Sequence, residues 1–130
     1  MPTNADPAAR DEALFRLITR ADWRAAHARG GDLPERAVDR TDGFLHLSTG
    51  AQVLETAAKH FAGCDDLLAA MLDPSALTGD LRFEPSRGGA LFPHLYGGAP
   101  VASVTALYVL IPQPDGFAFG APLTPADAAA

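Results

Sequence analysis

The chain has 130 residues, 48% of them apolar, one cysteine and a net charge of −6. That suits one globular domain and excludes a disordered chain, an internal disulfide and a membrane-spanning helix, because no apolar run nears the ~20 residues a bilayer requires. Lys59 and nine arginines are scattered, which argues against broad binding to a nucleic-acid backbone, although one or two arginines suffice for a small nucleotide.

Residues 1–12 are rich in Ala, Pro and Asp and are expected to form a flexible end. With no signal-peptide pattern at the start and only Cys64 as a thiol, the expected compartment is the cytoplasm. Leu14 to Ile18 reads as a first strand, with Arg16 among apolar neighbours. Thr19-Arg20-Ala21-Asp22 is a capping pattern, so a helix should begin near Ala21 and stop at Gly30-Gly31, packing Trp23, Ala26 and His27 along one face. Residues 32–42 hold Pro34 and five charged side chains besides Asp32, and suggest a loop.

Asp42-Gly43 then predicts a turn, and Phe44 to Ser48 an alternating strand with His46 and Ser48 on the same face. Thr49-x-x-Gln52 is a capping box that should open a second helix, from about Gly50 to Ala62, with Val53, Leu54, Ala57, Ala58 and Phe61 inward. Leu67 to Leu72 suits a strand buried on both faces. Leu81 to Glu84 alternates again. The segment from Phe92 to Gly98 is expected as a loop shaped by Pro93 and Gly97-Gly98. Val101 to Ile111 should be the longest strand, and residues 121–130 a frayed tail. The expected fold class is α+β: a single domain over 13–120, with two main helices packed on a mixed or antiparallel sheet.

Polar residues in apolar segments mark the candidate chemistry. His46 and Ser48 lie about 7 Å apart if extended, too far for a ready nucleophile–base pair, and no Gly-x-Ser-x-Gly elbow surrounds Ser48. Glu84 ends a strand and could act as a base or orient a hydroxyl. His94 and Tyr96 share a face if extended, and could present an imidazole and a phenol to a ligand. The bland alternatives are a backbone-satisfied His46, a surface ion pair at Glu84 and a packed Tyr96. His27 and His60 look like ordinary partly exposed helix residues.

Gly43 to Thr49, Glu84 with Ser86 and Gly88-Gly89, and Phe92-Pro93-His94-Leu95-Tyr96-Gly97 together resemble the signatures of a bacterial family catalogued as domain of unknown function 952. The likeness covers about residues 14–112. The family's fold is in turn remotely similar to the ADP-ribosyltransferase and RNA 2′-phosphotransferase group, whose members bind NAD or ADP-ribose in a split sheet. That implies a small-molecule ligand of the NAD or ADP-ribose kind, handled by His46, Glu84 and His94. Arg16, Ser48, Thr49, Arg82 and Tyr96 would be further ligand contacts. Two other readings stay open: a non-catalytic ligand-binding or protein-interaction module, and a metal site built from His46, Glu84 and His94.

Overall fold

The computed structural model describes residues 7–130 and has an α+β fold in a single domain. In chain order the elements are α1 (Pro7–Glu12), β1 (Leu14–Thr19), α2 (Arg20–Arg29), α3 (Ala37–Asp42), β2 (Leu45–His46), β3 (Ser48–Thr49) and α4 (Val53–His60). They continue with β4 (Leu67–Leu72), β5 (Asp80–Pro85), β6 (Leu91–Tyr96), β7 (Val104–Gln113), β8 (Gly116–Leu123) and α5 (Pro125–Ala128). Two antiparallel sheets result, a larger one in the order β3-β1-β4-β7-β8 and a smaller one in the order β2-β6-β5.

Alternation along β1 divides the core. Phe15 and Leu17 face α4, where they join Val53, Ala57, Leu67, Ala69, Tyr108 and Leu110. Leu14 and Ile18 face the other way, joining Trp23 and Ala26 of α2, Leu45 and Leu95 of the small sheet, and Leu47 between the two sheets. The large sheet is thus covered by α4 on one face and by α2 and the small sheet on the other. Arg16 shares the second face and is buried there with Asp39. The Thr19 hydroxyl accepts from the Asp22 N–H and caps α2 as its sequence indicates. His27, by contrast, stays exposed beside the buried Trp23 ring.

Several segments depart from expectation. Residues 7–12, placed with the flexible end, form α1; residues 1–6 lie outside the described part of the chain. The tail at 125–128 is helical, with Ala128 buried and the Trp23 indole N–H donating to the Pro125 carbonyl at 3.1 Å. The loop expected over 32–42 contains α3, which ends in Gly43 at φ 86°, a left-handed cap that suits glycine. The single strand expected over Phe44–Ser48 is two: the chain leaves the small sheet after His46 and enters the large one at Ser48.

The second helix is shorter than its apolar pattern, running only from Val53 to His60, with Phe61 half-buried at its end. Half of the capping box survives, since the Gln52 side chain accepts from the Thr49 N–H at 3.1 Å. The segment from 92 to 96, expected as a loop, is the central strand of the small sheet despite Pro93. Pro93 lies beyond the two residue pairs of β2, where its carbonyl accepts from Leu47 N–H at 3.1 Å and its missing N–H costs little. Val101–Ser103 forms a 3₁₀ turn, so the long strand begins only at Val104.

Candidate functional site

The site begins with a charge that cannot stand alone. Arg16 points from an apolar strand into the space between the sheets, where a bare guanidinium would be prohibitive. Asp39 of α3 meets it with both oxygens, Oδ2 at 2.6 Å from Nη2 and Oδ1 at 3.2 Å from Nη1. Arg16 also donates to the carbonyls of Pro34 and His46. Asp39 accepts further from the Arg36 N–H at 2.6 Å, from the His46 N–H at 3.0 Å and from His46 Nδ1 at 2.8 Å. Burial pushes the Asp39 carboxyl upward, but the hydrogen bonds from His46, Arg16 and the Arg36 backbone outweigh it and hold the group far below the usual carboxylate range. Sequence reasoning missed Asp39. The signal was Arg16 itself, a buried cation whose partner had to be among the charges of 32–42.

His46 is clasped on both sides. Its Nδ1 meets Asp39 and its Nε2 lies 2.9 Å from Asp42 Oδ2. Engaging both carboxylates at once takes a donor at each nitrogen. Directly across the strand pair stands His94, with ring centroids 5.9 Å apart. Phe44 stacks on His94 at 4.0 Å and touches His46 and Tyr96 at 4.6 and 5.2 Å. Glu84 of β5 accepts from the Tyr96 hydroxyl at 2.7 Å and lies 2.8 Å from His94 Nδ1. The bond from Tyr96, then that from His94, holds the Glu84 carboxyl below its ordinary range, and the same carboxylate pushes the Tyr96 phenol up. With Nδ1 committed to Glu84, His94 keeps Nε2 as its other functional nitrogen, the arrangement of an imidazole oriented by a carboxylate.

Beside this face opens a cleft of about 410 Å³. It is lined by Arg16, His46, Leu47 and Ser48, by Arg36, Val38 and Asp42 of the α3 region, by Glu55, Thr56, Lys59, His60 and Phe61 of the α4 region, and by Ser86, Gly88, Ala90, Phe92 and His94. Of the expected site residues, Arg16, His46, Ser48 and His94 border the cleft. Glu84 and Tyr96 instead support His94, and Arg82 lies over the Tyr96 ring at 4.6 Å while meeting Asp80 at 3.3 Å. Thr49 serves the entry to α4. Ser48 donates to the Thr56 hydroxyl at 3.2 Å rather than meeting His46. His60, which the sequence marks only as an ordinary partly exposed helix residue, is on the cleft wall.

A second hollow of about 340 Å³, beside Glu35, Arg40 and Phe44, has no histidine in its lining. Among the described residues no three His, Cys, Asp or Glu side chains are arranged to hold a metal ion. Both ring nitrogens of His46 face Asp39 and Asp42, and His94 Nδ1 faces Glu84. No helix among the described residues is long and apolar enough to cross a membrane.

No curated protein matches the sequence. The crystal structure of protein CC0527 from Caulobacter crescentus is similar: 41% identical, with a TM-score of 0.71 over 90% of this chain and 98% of that one. A double mutant of CC0527 matches at 39% identity and a TM-score of 0.70, over the same shares of both chains. The solution structure of CC0527 matches at 43% identity and a TM-score of 0.67, over 81% and 90% of the two chains. A family model described as "protein of unknown function (DUF952)" covers residues 17–107, a span that includes Asp39, His46, Glu84 and His94, and the chain belongs to that family.

Proposed function

We propose that the cleft binds a phosphorylated ribonucleotide of the NAD or ADP-ribose class, and that His94, oriented by Glu84, acts as an acid–base group on its ribose. The observation that carries this reading is the carboxylate-oriented imidazole of His94 at the border of a cleft of about 410 Å³. That volume falls in the usual range for small-molecule sites. His46 contacts the ligand from the adjoining strand. Tyr96 acts on Glu84, and Arg16 acts through the Asp39 carboxylate that fixes His46. In hydrolysis of NAD, His94 would take a proton from water as the water oxygen bonds to the ribose carbon and nicotinamide leaves with the electrons of the broken C–N bond.

The test is calorimetric titration with NAD and with ADP-ribose at millimolar ligand, alongside an assay for released nicotinamide. Binding that His46→Ala and His94→Ala both weaken is the expected result. Failure of both ligands to bind removes the nucleotide reading. Binding without turnover favours the non-catalytic module, a reading supported by how fully His46 and Glu84 are engaged within the protein.

A further inference from the structure

Arg36 stands apart from the other cations of the cleft. Arg16 is neutralised by Asp39, and Lys59 has Glu55 at 3.8 Å along its own helix. Arg36 pairs with no carboxylate among the described residues; instead its guanidinium lies over the Phe61 ring, 4.5 Å from the centroid. Stacking occupies the face of a guanidinium and leaves its N–H edges free, the geometry with which arginine grips an anion through two parallel hydrogen bonds. The aromatic shelf also fixes the long side chain before any ligand arrives, so less freedom is lost on binding. Lys59 and His60 border the same wall of the cleft. Burial and then the neighbouring Arg16 charge make the Arg36 cation costly to hold, which an incoming anion would relieve.

We infer that Arg36, shelved on Phe61 and assisted by Lys59, forms a phosphate subsite at the α3–α4 wall of the cleft. The inference rests on the cleft being a ligand site, and it assigns the ligand's diphosphate to this wall and its ribose to the side of His46 and His94. Neither Arg36 nor Lys59 stands out in the sequence, because each is one of several surface cations. The pairing is made by the fold, which brings the first residue before α3 against the last turn of α4.

The experiment is a titration of isotopically labelled protein with inorganic pyrophosphate, followed by amide chemical shifts. Shifts should concentrate around Arg36, Lys59 and His60. Arg36→Gln should weaken pyrophosphate binding at least tenfold while the rest of the spectrum stays native. Arg36→Lys should recover only part of that loss, since an ammonium cannot make the two-pronged contact. Arg29→Gln, which removes an equal charge outside the cleft, should leave binding unchanged. Unaltered affinity in Arg36→Gln, or shifts centred elsewhere, overturns the subsite. A parallel titration with ADP-ribose separates the two proposals. Binding of ADP-ribose that ignores Arg36 defeats the subsite and spares the nucleotide reading. Pyrophosphate captured at Arg36 with no affinity for ADP-ribose does the reverse.

Discussion

Replacing Asp39 by asparagine tests the centre of the site most directly. The side chain keeps its shape but loses its charge and turns one acceptor into a donor. Five donors converge on that carboxylate: two from Arg16, two from His46 and the Arg36 N–H. Asparagine leaves Arg16 as an unpaired buried cation and sets an N–H₂ group against at least one of these donors. Removing one partner of a buried pair typically costs about 3–5 kcal/mol. For a domain of this size that corresponds to a fall in Tm of roughly 10–20 °C. Denaturant melts of the two proteins, compared at an unchanged slope, measure it. The double variant Arg16→Met/Asp39→Leu should recover part of the loss, because it removes the stranded charge even though the carbonyls of Pro34 and His46 lose a donor. A cost below about 1 kcal/mol for Asp39→Asn would show that the guanidinium reaches water, and would refute the account of why α3 is held where it is.

Acid should act through the same residue. Its carboxyl sits lower in the folded protein than in the unfolded chain, so it contributes stability above about pH 4 that is lost as pH falls from there toward its folded value; melts of Asp39→Asn should lack that component of the slope. Glu84→Gln removes the negative neighbour that holds the Tyr96 phenol up, so one tyrosine titration should move to lower pH by ultraviolet absorbance, and an unmoved titration would contradict the contact. Phe61 is only half-buried at the end of α4, so Phe61→Ala should cost about 1–2 kcal/mol in chemical denaturation rather than the ~3–5 of a core phenylalanine. A Cβ at Gly97 would run into the Thr78 carbonyl where β5 and β6 begin to pair, so Gly97→Ala should destabilise by about 2 kcal/mol or more, and a neutral effect would show that this turn yields easily.

Much of this molecule is legible without coordinates. The strand over Leu67–Leu72 and the Thr19 cap are local signals that nothing distant overrides. What sequence rules mistook were segments whose state depends on a partner far along the chain. The α3 region is polar and carries a proline, which looks like loop; it is helical because Asp39 is anchored by Arg16, 23 residues earlier. Residues 92–96 become a strand because β2 and β5 flank them, and the short β2 ladder tolerates Pro93. In the site, His46 and His94 stood out as polar interruptions, whereas Asp39, Arg36 and Lys59 lay among many surface charges and gave no periodic signal. The α4 wall escaped notice for the opposite reason: His60 looked like an ordinary helix histidine, and only the packing of α4 turns it toward the cleft.

The passage from β2 to β3 constrains how this protein could be altered. Three consecutive residues carry the chain between sheets: His46 pairs with His94, Leu47 is buried and bonded to Pro93, and Ser48 pairs with Phe15. Side chains alternate by a period of two, so one added or deleted residue here would turn one sheet's facing residues inside out while leaving the other in register. Length variation is therefore shut out of one border of the cleft. At another border, Ser86, Gly88, Gly89 and Ala90 are exposed in a turn closed by its own backbone bonds from Ser86 to Ala90 and from Gly89 to Ser86, and free of any such register. Loop grafting aimed at a different ligand has that turn to work with, while the histidine side must be re-engineered one side chain at a time.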